Sequence, residues 1–272
     1  MDLTQKKAAL PALVARTQVF LLDMDGTVYI GDTPLSGMSG TLAAVRESGR
    51  RIVYCTNNSS RSRRQYAEKL RRLGLFDARD EVYTSGMATA EYLAAEYGGA
   101  RVYLVGTDAL REDFEAAGVR LCEERADVCV LAYDTTLTFE KLRKINEYIV
   151  RGTPYIATHP DDVCPAEGVY PPDVGSFIRL LACSSGREPD VVCGKPNRVM
   201  GERLLARLSV PPAAVTMAGD RPHTDIRFAN NNGFGSLLVL SGETDARRAQ
   251  TLPASDTPTA LANSLNDVVR HL

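Results

Sequence analysis

Short apolar, β-branched runs alternate with helical patterns almost from end to end of this 272-residue chain. Strand candidates fall at 18–23, 51–55, 101–105, 127–132, 154–158, 190–193, 214–218 and 236–240. Helix candidates lie between them, at 38–48, 62–73, 86–97, 108–117, 138–151, 174–185 and 197–208. Such alternation predicts an α/β fold with a mostly parallel sheet. Runs such as "VFLL", "RIVYC" and "SLLVL" carry no polar alternation, as expected of strands covered on both faces. No internal repeat or low-complexity stretch interrupts the pattern.

The helix over 62–73 shows how local the signals are. Tyr66, Leu70 and Leu73 share one face with Ala67 beside them, Ser62 and Gln65 fit a capping box, and Gly74 is placed to end the helix. Six basic residues cover its other faces. They read as a solvated surface, because aromatic interleaving is missing and the net charge of the chain is -2.

In a parallel α/β sheet, ligands bind beyond the carboxyl ends of the strands. The first strand ends in Asp23-Met24-Asp25-Gly26-Thr27 and the second in Thr56-Asn57-Asn58-Ser59-Ser60. "DVVC" runs into Gly194-Lys195-Pro196, and "AVTMA" into Gly219-Asp220, continuing to Thr224-Asp225. Any one of these alone reads as a turn or a helix cap. Four together, each at a strand end, read as a site holding four aspartates and one lysine.

The chemistry that suits these groups is metal-assisted phosphoryl transfer. Several carboxylates share a small space only when a hard cation offsets them, and Mg²⁺ is held by carboxylates, waters and phosphate oxygens. Asp23 is the expected nucleophile, forming an aspartyl-phosphate. Asp25, two residues on, is placed to protonate the leaving alkoxide and then to deprotonate the hydrolytic water. Thr56, Asn57 and Asn58, with the start of the following helix, offer donors for phosphate oxygens. Lys195 supplies a neutralising charge, Asp220 a metal ligand, and Asp225 a ligand or a support for one.

"DMDGTVY", "CTNNSS", "GKP" and "GDRPHTDI" resemble, in this order, the four motifs of the haloacid dehalogenase superfamily of phosphatases. The long interval between the second and third motifs is similar to that of its NagD-like branch. So are "VYTSGMATAEYL", "VYLVGTDALREDFEAAGV", "YIATHPD" and "LLVLSGET", which extend the likeness over nearly the whole chain. The resemblance implies a Rossmann-like core, here 1–97 and 190–272, with an inserted smaller α/β cap at 98–189. It further implies Mg²⁺ held by Asp23, the backbone carbonyl of Asp25, and Asp220, and a small phosphorylated metabolite as substrate.

Within the insert, the loop "THPDDVCPAEGVYPPDVGS" is the expected reader of the leaving group. Two residues depart from the family pattern. His159 stands where Asn is expected, and is either a loop histidine satisfied by its neighbours or a substrate contact. His223 falls between the two metal-site aspartates and carries the same two readings.

Other classes are set aside on the same residues. A receiver-like phospho-acceptor switch shares the acidic, hydroxyl and lysine set, but it needs no insert and no second aspartate at position 25. The near-neutral charge points to neither nucleic acid nor an anionic membrane, and no run approaches the ~18 apolar residues of a membrane span. The stretch "MDLTQKKAALPALVART" is expected as a helix lying on the core. Six cysteines without zinc spacing suit buried thiols in a cytoplasmic protein. An exposed cap surface would suit a homodimer.

Overall fold

The computed structural model describes residues 1–166 and 168–272; residue 167, in the expected substrate-reading loop, lies outside them. The chain divides into two compact units, the first comprising 1–55, 67–82 and 204–272, the second 56–66 and 83–203.

The first unit is built on a six-stranded sheet. Its order from edge to edge is Ala260–Ala262, Gly235–Val239, Val215–Gly219, Val19–Leu22, Arg51–Thr56, Glu81–Thr84. Val19–Leu22 is central, pairing in parallel with Val215–Gly219 on one side and Arg51–Thr56 on the other. All four of its residues are buried, which accounts for its unbroken apolar sequence. The expected N-terminal helix forms as two short ones, Leu3–Ala8 and Leu10–Arg16. Pro11 is tolerated in the first turn of the second, which buries Leu10, Leu13 and Val14.

Eight expected strands form within a residue or two of their bounds. Besides the short antiparallel pair Tyr29–Ile30 and Thr33–Pro34, three were not expected: Glu81–Thr84, Arg120–Leu121 and Ala260–Ala262. The last is only Ala-Leu-Ala, with no β preference of its own, and is strand because it pairs with Leu237–Val239. All three are edge strands, where pairing partners decide more than local composition.

The second unit is a smaller α/β sandwich. Its five strands are ordered Val191–Val192, Tyr155–Ala157, Val128–Leu131, Arg101–Val105, Arg120–Leu121, all parallel. Strand alternation divides its core in two. Val102 and Leu104 point to one face with Leu110 and Phe114 of the helix Asp108–Ala116. Tyr103 and Val105 point to the other, with Ile145 and Ile149 of Phe139–Val150 and Ile178 and Leu181 of Val174–Ser185.

This unit takes in more than the residues 98–189 expected as an insert. The helix Ser85–Glu96 joins it because Ala90 and Leu93 complete the Val102/Leu104 face. Thr56–Tyr66 joins through hydrogen bonds. Ser59 Oγ accepts from Tyr133 N (2.9 Å), and Thr107 Oγ1 donates to Ser60 O (2.8 Å). Among the described residues, no helix is long and apolar enough to cross a membrane.

Candidate active site

Two neighbouring strands of the first unit set the acidic residues. Val19–Leu22 and Val215–Gly219 run parallel and end at the same edge, so Asp23 and Asp220 emerge side by side. Sheet pairing continues into Asp23, whose N–H donates to Ala218 O (2.9 Å). Asp225 arrives from the π-helical turn Pro222–Ile226, a rare geometry that often marks functional positions. Its Oδ2 accepts from Arg221 N (3.2 Å). One carboxylate oxygen from each of Asp23, Asp220 and Asp225 falls within 4.8 Å of the others.

Glycines make this approach feasible. A β-carbon on Gly219 would overlap the Asp225 carboxylate, and one on Gly26 or Gly242 would overlap that of Asp220. The Asp220 carboxylate is steadied by Glu243 N (2.6 Å) and by Thr27 Oγ1 (3.4 Å). Burial, then the charges of Asp23 and Asp225, push its carboxyl up to about 7, even though the Glu243 N–H pulls the other way. Burying carboxylates this close together is costly unless a cation offsets their charge. Three hard oxygen donors of this kind suit Mg²⁺ or Ca²⁺.

The Asp25 side chain stands outside the trio. Although solvent-accessible, it has enough protein around it that desolvation, then the charge of Asp23, raise its carboxyl above the ordinary value. Lys69 opposes the shift. Asp25 therefore holds a proton more readily than a free aspartate does, as an acid catalyst must.

The remaining expected residues lie in the second unit. Lys195 is buried, at 1% exposure, beyond the strand Val191–Val192. Asn57 faces its backbone: Oδ1 accepts from Lys195 N (2.8 Å) and Nδ2 donates to Lys195 O (2.8 Å). Nδ2 also donates to Asp161, 3.2 Å from each carboxylate oxygen. Asn58 folds onto its own loop, with Oδ1 accepting from Ser60 N (2.9 Å) and Ser60 Oγ (2.8 Å). Its backbone N–H donates to Thr56 Oγ1 (3.1 Å). The buried Asn57 amide, expected as a phosphate donor, is thus engaged within the unit, and the half-buried Asn58 directs Nδ2 to Cys164 Sγ at 3.6 Å.

His159 likewise departs from the substrate-contact reading. It is fully buried, and both ring nitrogens are occupied. Nδ1 lies 3.0 Å from Thr158 Oγ1 and 3.3 Å from Ser85 Oγ, and Nε2 lies 2.9 Å from Asp173 Oδ1. Asp173 in turn caps the helix Val174–Ser185. His159 fastens the base of its loop, with no nitrogen left for a ligand. His223 is exposed and its charge acts on Asp256, so it is not part of the carboxylate trio.

The turn Ser241–Glu243 was not anticipated, although it supports both Asp220 and, through Ser241 Oγ to Gly26 O (2.8 Å), the loop after Asp23. It follows the strand Gly235–Val239. The strand-end rule that exposed the four motifs would have reached it too.

The profile of the haloacid dehalogenase-like hydrolases matches residues 20–120, and the related HAD-hydrolase-like profile matches 192–268. A 5'-nucleotidase of Bacillus subtilis is 31% identical over 93% of this chain and 98% of its own. A 4-nitrophenylphosphatase structure from Thermotoga maritima superposes with a TM-score of 0.91 at 38% identity, covering 95% of this chain and 98% of that one. A glycerol phosphate phosphatase from Mycobacterium tuberculosis, solved with magnesium, gives a TM-score of 0.88 at 32% identity, covering 95% and 78%.

Proposed function

Because this chain belongs to the haloacid dehalogenase-like hydrolases, in their NagD-like phosphatase branch, we propose that it hydrolyses a small phosphomonoester through an aspartyl-phosphate on Asp23. The observation that carries this reading is the convergence of Asp23, Asp220 and Asp225 at the ends of adjacent parallel strands. Phosphatase relatives matching over nearly the full length leave the receiver-like alternative without support.

In this mechanism an Asp23 carboxylate oxygen attacks phosphorus while the ester P–O bond breaks. Asp25 gives its proton to the departing alkoxide, a role that its raised carboxyl suits. The same carboxylate then takes a proton from water, whose oxygen attacks the phosphorus of the acyl phosphate. Inorganic phosphate leaves and Asp23 is restored. Lys195 contributes fixed positive charge to the phosphoryl group. Asp23 and Asp220 would hold Mg²⁺ with the Asp25 carbonyl, and Asp225 would ligate it or orient a ligand. The cation would offset the clustered charge and polarise the phosphoryl oxygens.

The substrate class follows the relatives, which include phosphatases of nucleotides, glycerol phosphate and 4-nitrophenyl phosphate. The 98–189 insert is proposed as the cap that discriminates among leaving groups. The test is a phosphomonoester panel with and without Mg²⁺ on the wild type, Asp23→Asn and Asp25→Asn. Expected are no turnover in Asp23→Asn and a loss of about 10²–10⁴-fold in Asp25→Asn. Metal-independent turnover, or undiminished activity in Asp23→Asn, would overturn the mechanism.

A further inference from the structure

Lys195 sits where regular pairing has ended. Its strand is only Val191–Val192, and the next residue, Pro196, has no N–H to offer. Buried backbone polar groups must still find partners. For Lys195 both are supplied by one side chain, since the Asn57 amide accepts its N–H and donates to its carbonyl at 2.8 Å each. The amide thus takes the place of a neighbouring strand. The fit depends on the glycine before it, because a β-carbon on Gly194 would lie 2.7 Å from Asn57 Oδ1.

An amide can sit either way round, and only one way works here. Asp161 places both carboxylate oxygens 3.2 Å from Nδ2. Turning the amide over would set Oδ1 against that carboxylate and Nδ2 against the Lys195 N–H, a mismatch on two sides at once. Both Nδ2 hydrogens are engaged, so none is left for a phosphate oxygen. Asp161 is itself held, its carbonyl accepting from Gly175 N (2.8 Å), two residues after the clamped His159.

We propose that Asn57 is a positioning residue that fixes the Lys195 backbone, and that Asp161 sets the orientation of its amide. The loop from Thr158 to Asp173 is thereby tied to the lysine through one carboxylate. Changes in that loop act on turnover through Lys195 as well as on substrate choice. This rests on the role assigned above to Lys195 in phosphoryl transfer.

The test is a double-mutant cycle on Mg²⁺-dependent hydrolysis of 4-nitrophenyl phosphate, with thermal unfolding recorded for each variant. Asn57→Ala should lower kcat by about tenfold or more with little change in KM. In the Lys195→Ala background the same substitution should cost less than about twofold, because the group it positions is gone. A full loss in that background, or weakened inhibition by inorganic phosphate as the main effect, would overturn the proposal and leave the mechanism standing. Wild-type turnover in Lys195→Ala would overturn both. Should Asn57→Ala fail to fold, Asp161→Asn, equal in size, serves in the same cycle. It should lower kcat by a common factor across the substrate panel, and a changed rank order of substrates would mark Asp161 as a substrate contact instead.

Discussion

Gly26 lies against Asp220 so closely that a β-carbon on it would sit 2.8 Å from the Asp220 Cγ and overlap Oδ2. Gly26 also has φ +80°, in the left-handed region where other residues are strained by about 1–2 kcal/mol. Gly26→Ala therefore costs conformational energy and displaces a carboxylate of the trio. The expected outcome is a modest fall in melting temperature with a much larger fall in Mg²⁺-dependent turnover. Retained turnover in a folded Gly26→Ala protein would show that Asp220 need not stand where it does.

The Asp220 carboxylate is buried beside two like charges, so the metal-free protein carries repulsion at neutral pH. A cation that binds only the folded state stabilises by about 2.7 kcal/mol at a hundredfold excess over its Kd. Adding Mg²⁺ should raise the melting temperature of the wild type. Asp220→Asn should melt at least as high as the wild type without metal, since it removes repulsion, yet respond little to Mg²⁺. Differential scanning fluorimetry over a Mg²⁺ titration measures both. An undiminished Mg²⁺ response in Asp220→Asn would place the cation elsewhere.

What the sequence discloses follows how local each determinant is. The helix Val174–Ser185 has the bounds expected of it because Asp173 caps its start and Gly186, at φ +71°, ends it. The aspartate trio was legible because each member follows a recognisable apolar strand or its turn. The partners of the Asn57 amide are not legible in the sequence because Lys195 and Asp161 lie more than a hundred residues along the chain. His159 was ambiguous for the same reason, since the carboxylate that fixes it belongs to Asp173 across the loop. The strand Ala260–Ala262 was invisible because only pairing makes it one. Strand ends reveal which groups are present, and long-range pairing decides which of them remain available to a substrate.

Thiol reactivity should divide the cysteines. Burial pushes Cys129 and Cys193 each up to about 12, so at pH 8 almost none of either is thiolate. Cys183 is exposed. Brief iodoacetamide treatment of the folded protein at pH 8, followed by peptide mass spectrometry, should find Cys183 alkylated and Cys129 and Cys193 unmodified until urea is added. Labelling of Cys129 under native conditions would mean that the core of the second unit opens readily.

Stability at low pH should depend on Asp256, which the Arg227 guanidinium holds in a two-point pair, Nε to Oδ1 at 2.7 Å and Nη2 to Oδ2 at 2.9 Å. Burial works to raise its carboxyl, but the hydrogen bonds from Arg227 and Ser255 and the positive charges of Arg227 and His223 together hold it below the ordinary 3.8. A folded-state value below the unfolded one means that the stabilisation is fully present above about pH 4 and is lost as pH falls through the lower, folded value. Asp256→Asn should cost about 2 kcal/mol at pH 7, the scale of a charged hydrogen-bonded pair. Measured by urea unfolding, that difference from the wild type should shrink steadily below about pH 4. A difference that stayed constant down to about pH 2.5 would show that the aspartate acts through its shape and not its charge.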